Sequence, residues 1–450
     1  MASTDAPGSK RELTRHMVAG GVGNFVEWYD FGIYGFLSFA LAKNFFTGDG
    51  VGPMLATFAV FGVSFVCRPI GAVVFGHLGD RIGRKGVLSI VVLTIAIATG
   101  LVAFLPTYEQ VGWLAPFLLV LLRCVQGFAA GGEYGGASSF VFEHAPKHLR
   151  GMFGGILGVS TYLAYLAGAS LAFGLSAGLS EEAMMAWGWR IPFFIAIPLG
   201  IIGLYIRTHV QDTPEFEEIR DETPPTLQQT VSAQWKNILL LFGFIISNAV
   251  GPYLLVTYIP TYLKTSGRLT DGETLIAQAA ALILVCILLP VFGWLSDRVG
   301  RRAVMVVSTI MYVVVPVPAF TLIQSSEGFA VFIGLALLAI AQAASTSVTA
   351  VLICELFPTA MRVGSSSIAY NLAYALFGGT APFIATWLVA QTGVDIAPAF
   401  YVIAVAAAST IFVFLLPETS PKHGRRKSDT PVATGVRRVW DSKRGFLEER

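Results

Sequence analysis

Twelve apolar runs of about 20 residues or more dominate the chain, each long enough to cross ~30 Å of hydrocarbon as a helix. They fall at 16–42, 54–79, 86–106, 113–142, 151–177, 190–208, 237–263, 274–297, 303–323, 328–356, 363–391 and 397–417. In lipid every backbone amide must find its partner within the protein, so runs of this length read as transmembrane helices. With 54% hydrophobic and only 13% charged residues, and a mean hydropathy of +0.68, the chain has lipid rather than water as its main solvent. Between runs six and seven lies a polar stretch with Pro214, Pro224, Pro225 and six acids, which divides the chain six plus six. The expected organisation is a short N-terminus (1–15), a first six-helix bundle (16–208), a linker (209–236), a second bundle (237–417) and a basic tail (418–450).

The halves repeat. Gly76-His77-Leu78-Gly79-Asp80-Arg81-Ile82-Gly83-Arg84-Lys85 follows the second run, and Gly293-Trp294-Leu295-Ser296-Asp297-Arg298-Val299-Gly300-Arg301-Arg302 follows the eighth, 217 positions later. Both fit G-x-x-x-D-R-x-G-[RK]-[RK]. A second echo places Glu143 seven positions before Arg150, and Glu355 seven before Arg362. Self-similarity at this offset implies two homologous halves.

Lys and Arg mark the side of the membrane that is not translocated. Of thirty, twenty-four fall on one side: the N-terminus, the even-to-odd loops, the linker and the tail. Four, Lys43, Arg190, Lys264 and Arg268, fall on the other, and Arg68 and Arg123 lie inside runs. Both termini are therefore expected in the cytoplasm, in the cell (inner) membrane. The tail is expected on the anionic inner leaflet. Four cysteines without metal-ligand spacing read as small buried hydrophobes.

Five ionisable residues fall inside apolar runs: Glu27, Asp30, Arg68, Arg123 and Glu133. Each costs at least ~2.5 to 3.5 kcal/mol at the bilayer centre, so each needs a partner or a wet cavity. Glu27, Asp30 and Tyr34 share one helical face, and Arg123, Gln126, Ala130 and Glu133 share an arc of another. Both should face inward. Three acids against two bases leave one negative charge over, which makes Glu27, Asp30 and Glu133 the candidates to carry a proton, since burial disfavours a charged carboxylate. The second half contributes a polar and aromatic cavity instead: Asn248, Tyr253, Tyr258, Gln342, Ser345, Thr346, Tyr370, Asn371 and Tyr374.

No nucleophile and base motif, metal cluster or phosphate-binding G-x-x-x-x-G-K-[ST] loop is present, which argues against an enzyme or a nucleotide-driven pump. The net charge of +2 gives nucleic-acid binding no support. Mid-membrane charges suit a rocking carrier better than a continuous pore.

The paired loops resemble the signature of the major facilitator superfamily of transporters. Gly23-Asn24-Phe25-Val26-Glu27-Trp28-Tyr29-Asp30-Phe31 resembles the opening helix of its metabolite:proton symporter family. So do Arg68-Pro69-Ile70-Gly71, Arg123-Cys124-Val125-Gln126-Gly127-Phe128, Gly131-Gly132-Glu133-Tyr134-Gly135 and Trp187-Gly188-Trp189-Arg190-Ile191-Pro192-Phe193-Phe194. The likeness runs from Val18 to Pro417. The stretch Leu255-Val256-Thr257-Tyr258-Ile259-Pro260-Thr261-Tyr262-Leu263 looks most like the proline/betaine branch, although the tail lacks the sustained heptads of that branch's osmosensing members.

The resemblance implies an all-α integral membrane protein of twelve helices in two pseudo-symmetric six-helix bundles, working by alternating access without a cofactor or metal. A monomer is expected. Its partners are a small substrate, protons and the bilayer, with proline or a betaine favoured and a di- or tricarboxylate, or shikimate, as the other class. Expected substrate residues are Trp28, Tyr34, Arg68, Arg123, Gln126, Asn248, Tyr253, Tyr258, Tyr370, Asn371 and Tyr374. The resemblance also implies a cytoplasmic gate of Asp80, Arg81, Arg84, Glu143 and Arg150 with Asp297, Arg298, Arg301, Glu355 and Arg362. In it Asp80 should face Arg84, Glu143 and the start of the helix near Gly364.

Overall fold

A computed structural model describes residues 10–82, 84–208, 227–266 and 268–420, all helix and connections. Among the described residues the longer helices group into twelve segments. In the first half they are α1 (Lys10–Phe36, extended by Ser38–Phe45), α2 (Gly52–Ile82), α3 (Arg84–Val102), α4 (Leu114–Ala130, then Glu133–His144), α5 (Arg150–Gly178) and α6 (Arg190–Thr208). In the second they are α7 (Leu227–Tyr253, continuing to Ser266), α8 (Asp271–Val299), α9 (Arg301–Val314 and Pro316–Ile323), α10 (Gly328–Glu355), α11 (Thr359–Ala373, continuing to Thr392) and α12 (Ala397–Leu415).

Among the described residues seven are long and apolar enough to cross a membrane singly, and two bent pairs qualify together, Glu181–Gly188 with Arg190–Ile206 and Arg301–Val314 with Pro316–Ile323. One bend, of 49°, falls between Val314 and Pro316, where proline removes a backbone donor. The apolar parts of α3 and α4, Gly86–Val102 and Leu114–Ala130, are shorter. α1 is long, but Asn24, Glu27 and Asp30 dilute its apolar character.

Burial is inverted relative to a water-soluble protein. On α2, Val66, Ile70 and Val73 are exposed on the outside of the bundle, whereas Arg68 between them is fully buried. α2 stays helical through Pro69.

Two expected segments differ from the structure. α4 is interrupted at Gly131–Gly132, so the helical count from Arg123 does not carry through to Glu133, which opens a new helix. α7 begins at Leu227, ten residues before the expected start, so the end of the proposed linker is helix.

Small residues bring backbones together where the bundles meet. A Cβ on Gly293 would lie 2.3 Å from the carbonyl oxygen of Gly151, and one on Gly155 would lie 2.4 Å from that of Leu289, so α5 and α8 touch backbone to backbone. Gly300 joins α8 to α9 as a single residue at φ +100°, a conformation that disfavours any side chain.

Candidate functional site

At the centre, two ion pairs hold four of the five ionisable residues expected inside the apolar runs. Arg68 Nη2 donates to Glu27 Oε1 at 2.7 Å, and Arg123 Nη1 donates to Asp30 Oδ2 at 3.0 Å. All four side chains are essentially without solvent exposure. The fifth, Glu133, has a side chain outside the described residues.

Asp30 is further held by its second oxygen, which accepts from Thr99 Oγ1 at 2.8 Å and Gln126 Nε2 at 2.9 Å. Gln126 also accepts from Arg123 Nη1 at 2.9 Å. Phe31 lies between the pairs, its ring 5.3 Å from the Arg68 guanidinium and 5.2 Å from that of Arg123. Tyr34 lies 4.3 Å from Arg123 and donates its hydroxyl to the Thr57 carbonyl.

Arg123 uses only part of its donor set. Its Nε and Nη2 are buried and meet no hydrogen-bond partner among the described residues. These two nitrogens share one edge of the guanidinium, the edge that grips a carboxylate in bidentate fashion.

The second half closes over this cluster with aromatic rings. Trp28 meets Tyr374 at 5.9 Å and Tyr253 at 6.4 Å, and Tyr253 packs against Phe61 and Phe65 at 5.3 and 5.1 Å. Tyr370 stacks on Tyr374 at 4.3 Å. Asn24 orients Trp28 by accepting its indole N–H at 2.9 Å, and itself donates to Ser160 and Thr161 at 2.8 Å. Asn248 accepts from the Tyr374 hydroxyl and donates to Ser345 and Thr346. Gln342 accepts from Tyr312 and donates to Thr346, completing a network inside the second half.

Two π-helical turns, Leu254–Tyr258 in α7 and Tyr374–Gly378 in α11, sit at this site. Such turns widen a helix and are enriched where helices do chemistry or bind ligands. Hydrogen bonds also cross the halves at the centre: Asn371 accepts from Arg68 Nε at 3.1 Å and donates to the Gly131 carbonyl at 3.0 Å.

The ends of the bundle are also closed. At the end bearing the repeated loops, Asp297 of α8 accepts the backbone N–H groups of Gly151 and Met152 at 2.9 Å each, capping α5 of the other half. Arg301 binds Asp297 at 2.6 Å and Glu355 at 3.2 Å. Glu418 accepts from the backbone N–H of Arg301 and Arg302, and Thr419 donates to Glu355, so the first residues of the tail belong to this cluster. Arg150 and Arg362, one from each half, flank the Phe142 ring at 3.7 and 5.2 Å.

Arg298 lies over Trp294 at 3.9 Å, away from the Asp297 contacts. The side chains of Asp80, Arg81, Arg84 and Glu143 lie outside the described residues. At the opposite end, α1 meets α7: Ser38 and Thr261 hydroxyls are 2.8 Å apart, and a Cβ on Gly35 would lie 2.5 Å from Thr257 Oγ1.

Of the expected substrate residues, Trp28, Arg68, Arg123, Gln126, Tyr253, Tyr370, Asn371 and Tyr374 come together at the centre, with Tyr34 beneath Arg123 and Asn248 behind Tyr374. Tyr258 does not join them. It packs with Tyr262 and Phe320 toward the end remote from the repeated loops. Thr99, Phe61 and Phe65 join this cluster but carried no distinguishing sequence signal, and Phe31, although part of the α1 motif, was not among the expected substrate residues.

Comparison with known proteins agrees with this architecture. Residues 17–224 match the family described as sugar (and other) transporter, and residues 268–446 match the major facilitator superfamily. The chain is 36% identical over 437 residues to the glycine betaine/proline/ectoine/pipecolic acid transporter of Dickeya dadantii, covering 94% of this chain and 87% of that protein. It is 35% identical over 438 residues to the proline/betaine transporter of Escherichia coli K12, with the same coverage. It is 37% identical over 419 residues to the ectoine/proline transporter of Corynebacterium glutamicum, covering 89% of this chain and 83% of that one. Among solved structures, a proton:xylose symporter bound to 6-bromo-6-deoxy-D-glucose superposes with a TM-score of 0.77 at 16% identity, over 92% of this chain and 98% of that one. That likeness speaks for the fold.

Proposed function

We propose, from the premise that this chain belongs to the major facilitator superfamily and within it to the metabolite:proton symporter family, that it imports a small zwitterionic osmolyte, such as proline or glycine betaine, together with protons. The protein is a multi-pass membrane transporter and not an enzyme. In this reading it sits in the cell (inner) membrane as a monomer, with the repeated loops and both termini in the cytoplasm, and needs no cofactor beyond the proton gradient.

The observation that carries the substrate reading is the Nε/Nη2 edge of Arg123, buried without a partner among the described residues and beside an aromatic shell. A zwitterion's carboxylate can take that edge in two parallel hydrogen bonds. Its ammonium can rest on Trp28, Tyr253 and Tyr374, where cation–π attraction contributes ~0.5 to 2 kcal/mol. A zwitterion adds no net charge. A dicarboxylate adds two negative charges to a centre whose two guanidiniums already serve Glu27 and Asp30.

Proton coupling follows from shared use of Arg123. A bound carboxylate and Asp30 compete for one guanidinium, and a proton on Asp30 removes that competition, so proton and substrate load together. Glu27, paired to Arg68, sits where the same exchange would release Asn371 and loosen the contact between halves. Glu133 is the third candidate carrier. The cytoplasmic gate is then the Asp297–Gly151 cap with Arg301 and Glu355, and the extracellular gate is the α1–α7 contact.

Calorimetric binding on purified protein tests the substrate reading. Glycine betaine and proline should bind, choline should not, and Arg123→Lys should lose binding because an ammonium cannot reproduce the fork. Binding of oxoglutarate or citrate in place of the zwitterions would promote the organic-acid class.

A further inference from the structure

The outer end of the bundle holds a cavity of about 690 Å³ between α1 and α2 of one half and α7 and α11 of the other. Its floor is the closed α1–α7 gate, with Tyr258 and Thr261 in its wall. That volume suits a small organic ligand.

Four cations, Lys43, Arg190, Lys264 and Arg268, belong to the face expected outside. Arg190 donates to the carbonyls of Ala103 and Leu105 at 2.7 Å, and Arg268 is held by Asp395 and the Gln324 carbonyl, so both brace loops. Lys43 and Lys264 come from opposite halves and converge on one ring: their ammonium nitrogens lie 4.6 and 5.5 Å from the centroid of Phe39, which lines the cavity. Lys43 also bridges Glu181 at 3.1 Å, with side chains 50% and 74% exposed, a contact loose enough to exchange for another carboxylate. Cations on a translocated face oppose the topological bias of the chain. Lys43 and Lys264 meet at one ring of the cavity lining, across the seam between the halves, so the mouth carries two ammonium groups together with Asp49, which stands between the lining residues Gly48 and Gly50.

Resting on the zwitterion reading above, we propose that this cavity is an antechamber that captures the substrate before the α1–α7 gate opens. Lys43 and Lys264 draw in the carboxylate, and the ring of Tyr258 in the cavity wall receives the ammonium. Tyr262 stands beside that ring, 6.0 Å away, held by its hydroxyl bond to Asp395 at 2.9 Å and with the Arg268 guanidinium 5.6 Å from its own ring. The antechamber selects for the carboxylate first, the reverse of a simple onium trap, so choline is rejected at the mouth.

The test places Thr265→Cys, on the cavity lining, in the full-length protein freed of its four native cysteines, and follows modification by methanethiosulfonates. The anionic sulfonatoethyl reagent should outpace the cationic trimethylammonioethyl reagent by on the order of tenfold, after normalisation to a free thiol. Lys43→Gln with Lys264→Gln should remove the preference, and Lys43→Arg with Lys264→Arg should keep it. Glycine betaine and proline should slow modification even with Arg123→Gln disabling the central site, whereas choline should not.

A charge preference unchanged by the Gln pair, protection lost with Arg123→Gln, or equal protection by choline would each overturn the antechamber. If glycine betaine and proline are neither transported nor protective in the otherwise unmodified protein, the substrate reading itself falls. The reagent preference still reports the sign of the mouth in that case.

Discussion

The Asp297 carboxylate of the second half caps the first turn of α5 in the first half, accepting from the backbone of Gly151 and Met152 at 2.9 Å each. An anion at a helix N-terminus satisfies donors that the helix cannot, and meets the positive end of its dipole. The contact therefore depends on the negative charge as well as on the oxygen atoms.

Asp297→Asn should weaken the closed cytoplasmic end. A charge-assisted hydrogen bond contributes about 1.5 to 3 kcal/mol, so the open population should rise roughly tenfold or more. Accessibility of a cysteine at buried Ser347, close to Gly154 on α5, to a reagent applied from the cytoplasmic side reads the change. An unchanged labelling rate would count against the cap.

Gly293→Ala puts a methyl group against the Gly151 backbone, which has no side chain to swing aside. Overpacking of this kind costs about 1 to 3 kcal/mol. The variant should melt at a lower temperature and spend less time closed at the cytoplasmic end. Gly174→Ala on α5, with nothing within 4 Å of the added carbon, should melt as the parent does.

Asn371→Ala removes the latch between Arg68 and Gly131 and leaves a buried guanidinium nitrogen unsatisfied. The loss should be about 1 to 3 kcal/mol of stability in the closed state. Asn371→Asp adds a carboxylate that competes with Glu27 for Arg68, and should slow turnover while leaving the fold intact. Transport rates of the two variants against their melting temperatures separate these effects.

Asp30→Asn should uncouple transport. Substrate exchange across the membrane should persist, because Arg123 keeps its Nε/Nη2 edge, while accumulation driven by a pH gradient is lost. Glu27→Gln should instead slow exchange as well, since it frees Arg68 and disturbs the contact with Asn371. Accumulation by Asp30→Asn equal to wild type would move the coupling role to Glu27 or Glu133.

What could be read from the sequence was what lipid makes expensive. Arg68, Arg123, Glu27 and Asp30 stood out because a charge at that depth demands a partner, and the structure pairs all four. The repeated loop was equally visible, and the Asp of its second copy, Asp297, meets the opposite helix start at Gly151, while the side chain of Asp80 lies outside the described residues. The aromatic shell was only half legible: Phe31, Phe61 and Phe65 are three of 33 phenylalanines, and a phenylalanine facing lipid has the same sequence signature as one facing a guanidinium. Tyr258 lies apart from the central rings, against Tyr262 and Phe320, and no local pattern sets it off from Tyr253. The break at Gly131–Gly132 was hidden by an apolar run that continues across it. The backbone contacts of Gly151 and Gly155 needed both halves in place before either glycine acquired a reason.

Uptake by purified protein in proteoliposomes, with an imposed gradient acidic outside, tests proton-coupled zwitterion import most directly. Labelled glycine betaine or proline should accumulate above its external concentration, a protonophore should abolish the accumulation, and Arg123→Gln should abolish uptake altogether. Saturable uptake of oxoglutarate or citrate that excess proline and glycine betaine leave untouched, or zwitterion accumulation indifferent to the protonophore, would contradict it.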